Sequence, residues 1–260
     1  MSAVNVVGAL EFPPISHLVE WPDFLFEGTP FAINKIALIT IAAAAITLTL
    51  FLVAGRKAQL VPTGVQNLVE ATVEFVRDGI ALQIMGPSGL PWVPFLTALF
   101  TFVLFCNLPE VIPFIQMPAT ARMAIPAFLA IIVWVVFNVV GIKSQGIGTY
   151  LRSNLFPPGV PKALYVLVTP IEFISTFFVR PFSLAVRLFA NMLAGHLLLV
   201  TFAVLSAALF AKSVLAVILP LPFIMLVLLT GFEVLVALLQ AFIFTMLTAV
   251  YIDGAMHAHH

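Results

Sequence analysis

Two stretches in the second half of the chain, residues 163–211 and 213–252, are apolar almost throughout and are separated by Lys212. Their uninterrupted portions, 182–211 and 223–252, have 30 residues each. As α-helices they would each run about 45 Å, while the hydrocarbon layer of a bilayer is only about 30 Å thick. Splitting each stretch into two ordinary spans would need a turn. None is written there: only Pro181 lies between Arg180 and Arg187, and Pro220 and Pro222 touch only the start of the second stretch. The lengths predict two helices tilted well beyond the usual ~20°, paired as a hairpin over 163–252.

The composition agrees with a chain dissolved in lipid. Hydrophobic residues make up 62% and charged residues 8%, against about 25% charged in soluble domains. The net charge of zero and the lack of a basic patch argue against nucleic-acid binding. Cys106 is the only cysteine, which excludes an internal disulfide and any cysteine-pair redox or zinc motif. The N-terminus lacks a signal peptide's basic start and short apolar core, so membrane entry falls to the spans themselves.

The reading along the chain is one all-α integral membrane domain over 1–260. Residues 1–35 form an N-terminal extramembrane segment with Glu11, Glu20, Asp23 and Glu27. Residues 36–54 are uncharged and long enough to span; Arg56 and Lys57 follow. In 62–83, Val65, Leu68, Val69, Val73, Val76 and Ile80 recur at helical spacing, with Glu70, Glu74, Arg77 and Asp78 elsewhere. That pattern fits an amphipathic interfacial helix, or a helix packed on other protein. "MGPSGLP" (85–91) breaks it. A hairpin over 92–142 has one span at about 92–109, ending in "NLPEVIP", and another from Met123 to Ile142. A polar loop with Lys143, Arg152 and Lys162 leads to the long hairpin, and 253–260 is a tail. Its "HAHH" reads as solvated rather than as a metal site. The total is about five crossings. Basic loops mark the cytoplasmic side, which puts the N-terminus outside and the C-terminus inside, against the minor exceptions Lys35 and Arg122.

The polar residues of the hairpin carry the chemistry. An arginine at the centre of a membrane helix costs about 2.5–3.5 kcal/mol on insertion scales. Such a residue faces a wet cavity or a partner, or else snorkels. Arg187 has apolar neighbours for many positions on both sides, which favours function there; Arg180, near the helix start, fits either reading. Arg187 and Asn191 are four apart and share a face. On the last helix Glu233 and Gln240 are seven apart, again one face, and Tyr251 returns to it. A free histidine's pKa lies near neutral, so a relay of His196 with Glu233 across the hairpin is one reading; a structural histidine is the other. Glu172 and Ser175 form a second polar pair near the cytoplasmic start. Glu110, at the outer end of the second span, is a third candidate or an ordinary interfacial carboxylate. No nucleotide loop, metal-ligand pair or nucleophile triad is present.

"RLFANMLAGH" (187–196) together with "LLQAFIFTMLTAVY" (238–251) resembles subunit a of the rotary F-type ATP synthase, and the layout from residue 30 onward is similar. The resemblance implies a non-catalytic, proton-translocating stator subunit without cofactors or direct nucleotide binding. Its partners would be a ring of c subunits, peripheral-stalk b-type subunits and the lipid bilayer, most naturally of a bacterial plasma membrane. Arg187 matches the family's essential arginine facing the ring. Asn191, His196, Glu233 and Gln240 match polar positions of the outer access channel, Glu110 an acidic position near its mouth, and Glu172 and Ser175 the cytoplasmic exit. Histidine and acid are exchanged at His196 and Glu233 relative to some bacterial members, as in mitochondrial ones, and the interval from Glu172 to Arg187 is one residue longer than in some. The implied mechanism gives Arg187 a permanent charge that stabilises ionised c-subunit carboxylates and separates two half-channels. The alternative is an ion-translocating subunit of an antiporter or respiratory complex. Such proteins more often carry lysine–glutamate chains or inverted repeats, and neither is evident. A quinone-binding membrane enzyme would need a cofactor or nucleophile signature.

Overall fold

The computed structural model describes residues 33–56, 59–112, 115–156, 161, 164–210 and 217–257. The acidic residues of the N-terminal segment, Lys57, Lys162, Lys212 and the last two histidines lie outside them.

The elements formed by the described residues are helices. Helix α1 spans Lys35–Arg56. Asn34 starts it, its Oδ1 accepting the Ala37 N–H at 2.9 Å, and Arg56 sits in its last turn, where a cation complements the helix dipole. Helix α2 (Val65–Val76) follows Gly64, whose φ of 59° is a left-handed conformation that glycine adopts freely. The segment expected as one amphipathic helix over 62–83 is thus shorter at its start. It also widens into a π-turn at Arg77–Ala81 before α3, Leu82–Met85. "MGPSGLP" ends the α-helix at Gly86, again at a φ of 59°, but the chain continues as a tighter 3₁₀ turn through Trp92. Then come α4 (Val93–Asn107), a 3₁₀ turn at Leu108–Glu110 and α5 (Ala124–Gln145).

The polar loop expected after α5 is partly a helix, α6, Ile147–Leu155. Gly146 makes the reversal at a φ of 78°. Beyond it lie α7 (Tyr165–Ile174), a π-turn at Ser175–Val179, α8 (Arg180–Leu209) and α9 (Pro220–Met256). Of the long hairpin, α8 has the 30 residues expected, continuous with the preceding turns, and α9 has 37 in place of 30. The prolines explain the difference. Pro220 and Pro222 lie in the first turn of α9, where the N–H has no intrahelical acceptor anyway, so they start the helix rather than break it. Pro181 follows a π-turn in which the Arg180 N–H reaches the Ser175 carbonyl. In a regular α-helix the Pro181 ring would crowd the Phe177 carbonyl, and the widened turn falls at that place.

Among the described residues, five helical runs are long and apolar enough to cross a membrane: Lys35–Arg56, Val65–Glu110, Ala124–Gln145, Tyr165–Leu209 and Pro220–Met256. The chain is an integral membrane protein. Its central core joins α4, α5, α8 and α9 through Leu96, Phe100, Phe137, Leu184, Leu188 and Phe244. Helix α1 leans on α4 and the connection after it around Ile36, Ile39 and Ala43, and it also touches α2. Large side chains such as Phe182, Leu198, Leu228 and Leu235 point outward, as suits helices whose solvent is hydrocarbon.

The α5–α6 corner is tied to the end of α9. Gln145 Nε2 donates to the Ala255 carbonyl at 2.8 Å and Ser144 Oγ to that of Met256 at 3.2 Å. Tyr150 folds back with its ring on Gly141 and donates its hydroxyl to Asn138 Oδ1 at 3.1 Å. A Cβ on Gly141 would collide with that ring. Gly141→Ala should therefore cost about 1–3 kcal/mol, the usual range for overpacking, and lower the thermal midpoint of the purified protein. Gly148→Ala, at a position with open space around it, should not.

Candidate functional site

Helices α8 and α9 pack antiparallel, and two contacts set their register. Asn191 Nδ2 donates to Gln240 Oε1 at 2.9 Å. One turn further along α8, the surface of Gly195 carries the carboxylate of Glu233, which lies two turns earlier on α9. A Cβ built on Gly195 would stand 2.5 Å from both carboxylate oxygens. Glycine at 195 is therefore what lets an acidic side chain lie flat between the two helices. Glu233 is 3% exposed and Gln240 2%, so the polar stripe read from the seven-residue interval faces inward and meets α8.

His196 adjoins this contact and opens on a second feature. A cavity of about 290 Å³ is walled by Glu110, Gln116, His196 and Thr230, with aliphatic side chains such as Leu199 and Leu226. Glu110 is not an ordinary interfacial carboxylate. It is 2% exposed, and neither carboxylate oxygen has a hydrogen-bond partner among the described residues; Glu233 Oε2 is likewise unpartnered. Unsatisfied acidic oxygens beside a cavity are costly unless water or a proton serves them. The wall at Gln116 is held in an unusual conformation. Its φ is +40°, rare for a residue with a side chain, and the carbonyl just before it, Ile115, accepts Lys35 Nζ at 2.7 Å. Nearby, Thr120 donates to Asn107 Oδ1 in the buried connection between α4 and α5.

Arg187 lies one turn before Asn191, half-buried, flanked by the core residues Leu184 and Leu188. Among the described residues it has no ion pair or hydrogen bond. On its other side lie the remaining polar residues that the sequence singled out. Glu172 and Ser175 are both half-buried, yet their side chains share no hydrogen bond. Tyr251 does lie on the Glu233–Gln240 side of α9, but eleven residues of helix carry it about 16 Å beyond Gln240. There it meets Arg180, whose guanidinium is 5.8 Å from the ring centroid, and Phe137 at 5.9 Å. Arg180 also acts on Tyr150. Burial raises that phenol above its ordinary value, and the positive charge of Arg180 opposes the rise.

Sequence reasoning missed Gly195, Gln116 and Thr230. Gly195 stood beside His196 as a small residue in a helix, a signal for close approach. Gln116 is one polar residue in a loop, and nothing in the sequence marks its left-handed backbone. Thr230 looks like any helical threonine, its hydroxyl returned to the Leu226 carbonyl. Among the described residues no group of three or more histidines, cysteines or acids could hold a metal ion.

A family model described as ATP synthase A chain matches residues 36–253. The chain is similar to the ATP synthase subunit a of Frankia alni, 43% identical over 249 residues that cover 92% of this chain and 83% of that one. The Rhodococcus erythropolis ATP synthase subunit a is 42% identical over 240 residues, 91% of this chain and 87% of that one. The Pseudarthrobacter chlorophenolicus ATP synthase subunit a is 37% identical over 253 residues, 95% and 93%.

The Asn191–Gln240 bond joins side chains across the hairpin, and its strength is measurable. In a double-mutant cycle of Asn191→Ala and Gln240→Ala, unfolding of the purified protein should show a coupling of about 0.6 kcal/mol, the average for such bonds between membrane helices. Asn191→Ala with Thr201→Ala, whose hydroxyl bonds within its own helix, should show none.

Proposed function

The chain belongs to the ATP synthase A chain family, and on that premise we propose that it is the stator subunit that passes protons to and from a rotating ring of carboxylate-bearing c subunits. Arg187 carries this reading. It is a half-buried cation on a long apolar helix, without an ion-pair partner among the described residues, and it stands between two separate polar regions. On one side are Asn191, Gln240, His196, Glu233 and Glu110, the last reached through the cavity. On the other are Glu172, Ser175, Arg180 and Tyr251.

The chemistry follows from these placements. A ring carboxylate must be neutral to pass through lipid and ionised to exchange its proton. A guanidinium keeps its charge in any protein environment, so Arg187 stabilises the ionised form of each carboxylate that passes it. The same charge repels a proton that would run directly from one polar region to the other. Protons then enter through the Glu110 cavity, pass by way of His196 and Glu233 to the ring, and leave after almost a full turn past Glu172 and Ser175. Each charge that crosses 100 mV contributes about 2.3 kcal/mol to rotation. In this reading b-type stalk subunits hold the chain against the torque, the N-terminus is outside and the C-terminus cytoplasmic, and the nucleotide chemistry belongs to other subunits.

Arg187→Ala should abolish ATP-driven proton pumping in inverted vesicles and raise the passive proton leak. Arg187→Lys should recover little, since lysine can lose its proton and lacks the planar fork. Normal pumping by the alanine variant in a fully assembled complex would overturn the proposal.

His196 and Glu233 provide the second test. If one acid and one imidazole in transfer reach are what matters, His196→Glu and Glu233→His should each slow pumping. The exchange of both should then recover more than the two single losses predict. Strictly additive losses would mean that the residues act independently.

A further inference from the structure

A second recess system lies away from the hairpin, where α1, α2 and α4 meet. A cleft of about 630 Å³ is lined by residues including Ala44, Leu48, Phe51, Val73, Ala98 and Phe102. Its hydroxyls, Thr47 and Thr97, donate to carbonyls of their own helices, Ala43 and Val93, at 2.8 Å each, so their protons are already committed. The cleft suits a hydrocarbon chain. Its size falls within the range of about 300–1,000 Å³ that holds small ligands.

Further along α1 is a recess of different character, about 350 Å³ and lined by Arg56, Gln59, Thr63 and Gln66 among others. Leu48 and Phe51 in the cleft are eight and five residues from Arg56 on the same helix, or about 8–12 Å. Arg56 is exposed and has no ion pair among the described residues. The recess is braced by Gln66, which accepts the Gln59 N–H at 3.0 Å and donates to the Gln59 carbonyl at 2.9 Å and to Glu70 at 2.6 Å. Helix α2 begins here without a side-chain cap and without an acid in its first turn, so its positive dipole end adds to the charge of Arg56. Leu60, Val61, Val65 and Leu68 around the recess are exposed, which places it at the boundary between acyl chains and headgroups.

We propose that α1, α2 and α4 form a binding site for one anionic phospholipid, with its phosphate on Arg56 and one acyl chain in the cleft beside Ala44, Phe51 and Ala98. The cation marks an anion, and the adjoining hydrocarbon cleft marks a lipid over a free phosphate. A partner's membrane helix could fill the cleft but would have no use for the cationic recess at its end. The site stands independently of the proposed ion path.

The test uses the purified full chain in phosphatidylcholine vesicles with spin-labelled phosphatidylglycerol or phosphatidylcholine, and reads the motionally restricted lipid fraction. Phosphatidylglycerol should be preferred at least about threefold. Arg56→Gln should erase the preference, and Arg56→Lys, which keeps the charge, should retain it. Ala98→Phe and Ala44→Phe, both at exposed positions that the protein can fill without repacking, should lower the restricted fraction. Arg152→Gln should change nothing. Equal retention of the two lipids, or a preference that survives Arg56→Gln, would overturn the proposal. Inorganic phosphate that abolishes the preference while the phenylalanine variants have no effect would identify a free-anion site instead. A preference seen in the isolated chain but absent from the assembled complex would identify a protein helix as the occupant.

Discussion

The close approach of α8 and α9 at Gly195 is the contact on which the candidate site depends. An acidic group buried between two apolar helices is expensive unless something serves its oxygens. Glycine removes the steric bar, and the Glu233 carboxylate occupies the space a Cβ would take. The Asn191–Gln240 bond then fixes the helices on the next turns. With that register set, His196 opens on the cavity that Glu110 lines, and Arg187 stands one turn beyond Asn191. A slip of either helix along the other would break both contacts together.

The second constraint is length. Helices of 30 and 37 residues outrun a bilayer crossed at right angles, and proline inside a helix kinks or breaks it. In each case the chain places proline where it does least harm: the first turn of α9, and just after a π-turn at the start of α8. The result is an uninterrupted pair of rods that can present polar groups at many depths, including a cation–ring contact between Arg180 and Tyr251 near one end.

Much of this was legible in the sequence because it rests on periodicity and length. The first span, the third span, the long hairpin and the inward-facing Glu233–Gln240 stripe all follow from counting residues against 3.6 per turn. What escaped depends on groups that come together only in three dimensions. Periodicity alone does not bring Glu110 to His196, 86 residues away; only the family resemblance put them in one channel, and the residues themselves left Glu110 open as an interfacial carboxylate. Helix α6 went unread because its polar face resembles a loop, while its burial hangs on one residue, Tyr150, packed on a glycine of the preceding helix. Proline misled at 220 and 222 because its effect depends on whether its missing N–H falls inside a helix or in its first turn.

The π-turn at Ser175–Val179 bears on the interval between Glu172 and Arg187, which the family resemblance reads as one residue longer than in some members. In an unbroken α-helix an added residue turns everything before it by about 100° relative to everything after it. A π-turn closes its hydrogen bond over one more residue than an α-turn, so it takes up one residue without passing that rotation on. The widened turn lies between Glu172 and Arg187, with Ser175 as its first residue. Glu172 therefore keeps the bearing relative to Arg187 that a chain one residue shorter would have in a plain α-helix. The longer interval is then no argument against a role for Glu172. The cost falls on Thr176, buried in the widened turn with its hydroxyl unpartnered among the described residues, a local penalty of a buried polar atom left without a bond.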